Sequence, residues 1–137
     1  MSVITFDSVV VAPSFLQRMI THAESVKPVE CCGVLGGKGS VVTSVHPLEN
    51  AVNSPVKYEA DAKDLFQAVR RMRENGEEMI GIYHSHPDSP PVPSETDQQE
   101  NEYPGLFYFI ISLMNAEPQV KCYIMSNDRE FSSVTIV

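Results

Sequence analysis

The stretch from His84 to Asp97 constrains this chain more than any other. It begins with His84-Ser85-His86-Pro87 and ends with Ser94-Glu95-Thr96-Asp97. On an extended strand, residues two apart point to the same face, so we expect both imidazoles to project together. Pro87 cannot donate to a sheet ladder, so the strand should stop there and leave the histidines at its open end.

A proline-rich loop follows and leads to Ser94, which is a favourable residue for a helix N-cap. Asp97 lies three residues further on. Two histidines and one carboxylate leave the fourth position of a tetrahedral zinc ion free for water, which is the pattern of a catalytic rather than a structural site. We therefore predict that His84, His86 and Asp97 bind Zn²⁺.

Each part of this stretch has a simpler interpretation when taken alone. Ser94-x-x-Asp97 resembles a capping box, which would make both residues helix punctuation. An isolated His-x-His is a weak signal, and the proline-rich loop could be a plain surface connection. The apolar run from Met79 to Tyr83 leads directly into the histidines, however, and the combination favours a metal site.

The pattern His84-x-His86-Pro87, five residues, Pro93-Ser94-x-x-Asp97 resembles the signature of the JAMM (MPN-plus) metalloproteases. That family also has a glutamate far upstream beside a short apolar strand, and the segment from Pro28 to Gly37 resembles it closely. The resemblance covers nearly the whole chain. It implies a curved mixed β-sheet between helices, with zinc bound at the edge of the sheet.

Hydrolysis of a peptide bond needs a proton acceptor as well as a metal. Zinc can lower the pKa of its bound water from about 15.7 to about 7, and general acid/base help is typically worth about 10²–10⁴-fold. The resemblance assigns the acid/base role to Glu30, which lies 84 − 30 = 54 residues before His84. The competing carboxylates are Glu95, which ranks next, and then Glu49 and Glu59.

The resemblance also gives Ser94 a catalytic role, as a hydrogen-bond donor to the developing oxyanion. Ser85 should point to the opposite face of the strand, where packing or a supporting hydrogen bond is expected. Cys31 and Cys32 adjoin Glu30, but no histidine near them in sequence suggests a thiol nucleophile. We expect these thiols to be buried and structural.

Composition narrows the class of protein. The 137 residues fit one domain, spanning 1–137, and the net charge of −8 argues against nucleic acid. No apolar run reaches membrane-spanning length, and no secretory signal pattern is visible. With three cysteines, the chain is expected to be cytoplasmic and to keep them reduced.

Hydrophobic periodicity predicts an α/β domain with a mixed sheet. One helix should begin at Pro13 and another at Asp61, the second with Leu65, Phe66 and Met72 on its apolar face. We expect Val56 to Glu59 to be extended, and His46 to lie at a strand end. The other predicted strands are Ile4–Val11, Cys31–Gly37, Val41–Leu48, Met79–Tyr83, Leu106–Ile111 (a central strand), Val120–Met125 and Phe131–Val137.

The chain is too compact for the large insertions with which many JAMM deubiquitinases hold ubiquitin. It looks most similar to small prokaryotic members that cleave after the C-terminal Gly-Gly of ubiquitin-like sulfur-carrier proteins. Such a carrier is the expected partner, and a homo-oligomer is left open. The alternatives are a zinc hydrolase acting on a small amide or a cell-wall peptide, and a non-catalytic MPN scaffolding domain.

Overall fold

The computed structural model describes residues 7–137. Within them, seven strands form one sheet in the order β1-β7-β6-β5-β4-β2-β3, and three helices accompany it. The strands are β1 Ser8–Val9, β2 Cys32–Lys38, β3 Val41–Leu48, β4 Glu78–His86, β5 Phe107–Ser112, β6 Gln119–Met125 and β7 Phe131–Ile136. The helices are α1 Pro13–Val26, α2 Ala62–Glu74 and α3 Glu95–Glu100. Parallel β4–β5 pairing combined with antiparallel pairs makes the sheet mixed, so the predicted α/β class is confirmed.

The two longer helices cover opposite faces of the sheet. Met19 and Ala23 of α1 belong to one buried cluster, and Ala68 and Met72 of α2 belong to the other. All six residues of β5 are buried, and the side chains from Phe107 to Ile111 alternate between the two clusters. The prediction of a central, doubly covered strand is therefore confirmed.

Helix α2 forms where the sequence predicts it, with a difference in its buried face. Its N-cap is Asp61, as expected, with the carboxylate accepting a hydrogen bond from the Asp64 N–H at 3.0 Å. Phe66, however, is 68% exposed, so its placement on the apolar face was wrong. Met72 is buried and Leu65 packs at the margin of its cluster, as predicted, and Ala68 is buried beside them.

The first described segment joins the two outer parts of the sheet. Strand β1 pairs in parallel with β7, while the next residue, Val10, bonds to the β2–β3 hairpin. Its N–H donates to Ser40 O at 2.8 Å, and its carbonyl accepts from the Val42 N–H at 3.0 Å. The predicted strand Ile4–Val11 is thus shorter among the described residues, because Val10 changes partner; residues 4–6 lie outside them.

Strand β4 carries both histidines and lies between β2 and β5. It contains the predicted apolar part Met79–Tyr83 and ends at His86 because Pro87 follows, so the predicted end of the strand is confirmed. Both histidines lie at the open, carboxyl end of the strand, as predicted, and this strand is an inner strand of the sheet. His46 is paired within β3 rather than at its end, opposite Val34.

The connection between β3 and α2 contains no strand. The expected extended segment Val56–Glu59 lies in a loop that is closed by an isolated bridge between Asn50 and Ala60. Across residues 7–137, no helix combines the length and the apolar character that crossing a membrane requires.

Candidate metal and catalytic site

Three metal-ligand side chains converge at the end of β4. His84 Nε2 lies 3.0 Å from His86 Nε2 and 3.2 Å from Asp97 Oδ1, and His86 Nε2 lies 3.0 Å from Asp97 Oδ2. Nitrogen or oxygen donors on a tetrahedral zinc ion are roughly 3.3 Å apart, given bond lengths of about 2.0–2.1 Å. All three residues are buried, and the predicted grouping is confirmed.

The surroundings of His86 and Asp97 prepare them to bind a cation. The Pro90 carbonyl can only accept, so it holds the hydrogen on His86 Nδ1 at 2.8 Å and leaves Nε2 with its lone pair when the ring is neutral. Burial lowers the pKa of His86, but its bonds to Asp97 and Pro90 and the charge of Asp97 outweigh burial and raise the pKa. Burial raises the pKa of Asp97, but His84, His86 and the Ser94 N–H hold that pKa far below its usual range.

His84 is fully buried and is held differently. Burial lowers its pKa, and the interactions with Asp97 only partly oppose that shift. The imidazole is therefore neutral, which is the form that binds a metal. Its ring contacts two tyrosine rings, those of Tyr58 and Tyr108, each with a centroid distance of 5.0 Å.

Glu30 reaches the site through the pairing of β2 with β4. Cys32 lies opposite His84, and the Ser85 N–H donates to Cys31 O at 3.2 Å just beyond the ladder. Continuing this antiparallel register brings Glu30 opposite His86. Strand pairing thus brings Glu30 to the metal ligands although it is distant from them in sequence. The sequence motif alone does not specify this pairing.

The carboxyl group of Glu30 is almost completely buried. The residue is 3% exposed, and Oε1 has no hydrogen-bond partner among the described residues. Burial, followed by the nearby charge of Asp97, raises the pKa of Glu30 to about 8, while His86 opposes the shift. A carboxyl group of this kind can take up or release a proton near neutral pH.

Ser85 faces away from the metal ligands, as predicted. Its Oγ accepts a hydrogen bond from the Cys31 N–H at 2.8 Å. This bond fixes the backbone directly after Glu30. The role of Ser85 is therefore support of the neighbouring strand.

Ser94 begins α3, the short helix that carries Asp97. Its Oγ accepts from the Asp97 N–H at 3.0 Å, and Asp97 Oδ2 accepts from the Ser94 N–H at 2.9 Å. The capping-box interpretation is thus confirmed, and Asp97 also lies in the metal group. The Ser94 hydroxyl is exposed and its own hydrogen stays free to donate. Its catalytic role remains a prediction.

All three cysteines are buried and free. Burial raises the pKa of Cys31, Cys32 and Cys122 to about 12 in each case. Thiols of this kind are protonated at neutral pH and react slowly. The expectation of buried, structural thiols agrees with these surroundings.

Three residues near the site were not identified from the sequence. Asn50 and Tyr58 belong to the β3–α2 loop, and Arg129 belongs to the β6–β7 turn. The sequence predicted an extended segment around Tyr58 and assigned no role to any of the three, because each side chain contacts residues that are distant along the chain. No local pattern would have identified them.

Comparison with known proteins places the chain in a protein family. Residues 12–126 match the family model described as prokaryotic homologues of the JAB domain. The chain belongs to this family. The matched range includes the whole stretch from His84 to Asp97.

Two curated relatives and two solved structures illustrate the similarity. A desampylase from Haloferax volcanii is 41% identical over 102 residues, covering 72% of this chain and 73% of the relative. A CysO-cysteine peptidase from Mycobacterium tuberculosis is 34% identical over 105 residues, covering 75% and 72%. The solution structure of a protein from Desulfitobacterium hafniense is 34% identical, covers 94% of this chain and 91% of its own, and gives a TM-score of 0.86. A JAB1/MPN domain protein from Archaeoglobus fulgidus is 21% identical, with coverage of 95% and 98% and a TM-score of 0.61, and confirms the fold.

Proposed function

We propose that this protein is a zinc-dependent isopeptidase that hydrolyses the amide bond after the C-terminal Gly-Gly of a ubiquitin-like or sulfur-carrier protein. The observation that carries the proposal is the buried group of His84, His86 and Asp97 with the carboxyl group of Glu30 beside it. Relatives named desampylase and CysO-cysteine peptidase support a substrate of this class.

His84, His86 and Asp97 would hold the metal through Nε2, Nε2 and the carboxylate. Zinc, when bound, supplies Lewis acidity and a water molecule whose pKa is near 7. Glu30 would accept a proton at its carboxylate and then donate it to the leaving amine. A divalent cation in the group would lower the pKa of Glu30 from its value of about 8 and favour the basic form.

Ser94 would donate its hydroxyl hydrogen to the oxygen of the scissile carbonyl. Its Oγ is fixed by accepting the Asp97 N–H, so the donor keeps its place without a cost at the moment of reaction. This arrangement supports the assignment of Glu30 and Ser94 as catalytic residues.

A cavity of about 580 Å³ lies beside Asp97. The segment 57–60, the end of α3 and Tyr108 form its walls. An extended tail that lies here would bring its end to the metal group, and glycine is the residue that passes most easily between close walls. We further propose that residues 1–137 act as one domain in the cytoplasm.

The experiment compares two substrates that share a tail. The first is a folded β-grasp carrier ending in Gly-Gly and extended by one cysteine; the second is an unrelated peptide with the same last six residues. Mass spectrometry should show release of cysteine from the carrier at a much higher rate, because a folded partner supplies binding energy remote from the bond. A chelator should stop the reaction, and added zinc should restore it. Equal cleavage of both substrates would instead favour a hydrolase of small amides.

A further inference from the structure

Two kinds of interaction close the loop of residues 50–60: the backbone bridge between Asn50 and Ala60, and the side chain of Asn50. All four hydrogen-bonding positions of its amide are used. Nδ2 donates to Glu30 O at 3.0 Å and Lys57 O at 3.1 Å, and Oδ1 accepts from the N–H groups of Val52 at 3.1 Å and Glu59 at 3.0 Å. One amide thus ties both ends of the loop together and joins them to Glu30.

The backbone of Glu30 depends on this loop. Its carbonyl accepts from Asn50, and its N–H donates to Ser54 O at 2.8 Å. The β2–β4 ladder begins at Cys32, so Glu30 has no ladder partner of its own. Both main-chain polar groups of the proposed acid/base residue are therefore fixed by the loop.

The same loop holds a metal ligand through Tyr58. This residue lies between Lys57 and Glu59, and the Asn50 side chain forms a hydrogen bond with the backbone of each of these two neighbours. Its ring stacks on His84 with a centroid distance of 5.0 Å and an interplanar angle of 27°. The Tyr58 hydroxyl lies 3.4 Å from that of Tyr108, whose ring also contacts His84.

Ring packing takes the place of a hydrogen bond at His84. A metal-binding histidine is usually oriented by a hydrogen bond from its other ring nitrogen, as His86 is by Pro90. His84 Nδ1 is buried and has no hydrogen-bond partner within residues 7–137. Apart from the contacts of Nε2 with His86 and Asp97, the orientation of this imidazole depends on the two tyrosine rings.

We propose that Asn50 and Tyr58 are positioning residues, which set Glu30 and His84 relative to each other through the loop of residues 50–60. The proposal rests on the proposed metal site. Because the amide of Asn50 bonds to the carbonyl of Glu30 and to both neighbours of Tyr58, a change at Asn50 disturbs the positions of Glu30 and Tyr58 together. Neither residue touches the metal group as a ligand, so their effects pass through Glu30 and His84.

The first test is Asn50→Asp with Asn53→Asp as the matched control. Asn50→Asp keeps the shape but removes both donors and places a carboxylate against the carbonyls of Glu30 and Lys57. Asn53 is exposed in the same loop, and its side chain makes no hydrogen bond to the described residues. Zinc affinity, measured by competition with a chromophoric chelator, should fall about 10- to 100-fold in Asn50→Asp, the usual effect of losing a residue that orients a ligand. Asn53→Asp should bind zinc as the wild type does.

The second test separates positioning from stability. Tyr58→Phe keeps the ring on His84 and should keep zinc affinity and the visible spectrum of the cobalt-substituted protein, whereas Tyr58→Ala should change both. A merely structural role would lower the melting temperature of Tyr58→Ala and leave the cobalt spectrum of the folded protein unchanged. This pair decides the question even where Asn50→Asp folds poorly.

Wild-type zinc affinity and an unchanged cobalt spectrum in folded Asn50→Asp and Tyr58→Ala would overturn the inference. The proposed function is tested separately. If the variants show these differences in zinc affinity but the wild type does not cleave the carrier, the substrate assignment is contradicted and the positioning roles are supported.

Discussion

Ser94 and Asp97 hold each other through two reciprocal hydrogen bonds, one from the Asp97 N–H to Ser94 Oγ at 3.0 Å and one from the Ser94 N–H to Asp97 Oδ2 at 2.9 Å. The same Oδ2 lies 3.0 Å from His86 Nε2. A helix cap and a metal ligand are therefore one structure. Helix α3 has only six residues and would be unstable alone, so it depends on this cap. The cap therefore also fixes the direction of the Asp97 carboxylate.

This relationship separates the two roles of Ser94. Ser94→Gly removes the hydroxyl but keeps a tolerated N-cap, so its cost in the free energy of unfolding should be a few tenths of a kcal/mol, against about 1 kcal/mol for Ser94→Ala. Both variants lose the donor, and we expect kcat to fall about 10²–10³-fold in each with KM nearly unchanged. Steady-state kinetics and urea unfolding measure the two effects. A Ser94→Gly variant with wild-type kcat would contradict the donor role.

Loss of a ligand should remove metal and activity together. Asp97→Asn keeps an acceptor for the Ser94 N–H but loses the charge offered to the metal, and His84→Ala removes a donor outright. Elemental analysis of both purified variants should show far less zinc than the wild type, which should hold about one ion per chain. Asp88→Ala, an exposed carboxylate in the adjoining loop, is the matched control and should keep its zinc. Undiminished zinc in His84→Ala would show that the site is wrong.

Glu30→Gln should retain zinc and lose nearly all turnover, since an amide cannot accept the proton. Glu95→Gln, which changes an exposed carboxylate beside Ser94, is its control. A near wild-type rate in Glu30→Gln would show that another residue has this role, and a loss of turnover in Glu95→Gln would assign it to Glu95.

The buried carboxyl of Glu30 also predicts a pH dependence of stability. Its pKa in the folded, metal-free protein is about 8, above the ordinary 4.5, chiefly because of burial. Folding therefore favours the protonated form, and its contribution to the free energy of unfolding is present below about pH 4.5 and is lost as the pH rises through about 8. The difference in unfolding free energy between Glu30→Gln and the wild type should grow in favour of the variant across this range. Chemical unfolding of the metal-free proteins at several pH values tests this.

The thiols should be chemically silent in the folded protein. Because burial raises the pKa of all three thiols to about 12, alkylation near pH 8 should be slow until a denaturant exposes them. Mass spectrometry counts the labelled cysteines, and activity should survive treatment of the folded protein but not a chelator. Inactivation by the alkylating reagent alongside resistance to chelation would favour a cysteine-protease mechanism.

The parts of the site that follow a local rule could be predicted from the sequence. Alternation along a strand placed His84 and His86 on one face, and the capping box fixed Asp97 relative to Ser94. The position of Glu30 came only from a family resemblance, because strand register is set by pairing over the whole sheet.

Residues that act across loops gave no such signal. The contacts of Asn50 and Tyr58 depend on how a segment without regular structure closes, and hydrophobic periodicity does not describe that. The prediction for Phe66 was wrong for a related reason. The apolar stripe of α2 is wider than the part of the helix that packs on the sheet, so Met72 is buried while Phe66 stays exposed.

Arg129 binds the other end of the helix that carries Asp97. Its guanidinium donates to three carbonyls at the end of α3, those of Gln98 at 3.1 Å, Gln99 at 3.0 Å and Asn101 at 3.2 Å. Its own carbonyl accepts from Gln98 Nε2 at 2.7 Å. These bonds satisfy carbonyls that a helix end leaves unpaired, and the positive charge of the guanidinium interacts favourably with the negative end of the helix dipole.

Arg129→Gly is therefore expected to loosen α3 and weaken zinc binding. The backbone of Arg129 has φ +64°, so glycine fits it without strain and the change removes mainly the side-chain bonds. The Asn101 N–H, which donates to Asp97 O at 3.0 Å, should exchange with solvent faster, while amides of the buried strand β5 should not. Arg70→Ala removes an arginine whose exposed pair with Glu74 on α2 contributes about 0.3–0.5 kcal/mol, and it should leave both the exchange at Asn101 and the zinc affinity unchanged. Equal exchange at Asn101 in Arg129→Gly and the wild type would show that α3 holds Asp97 without help from the β6–β7 turn.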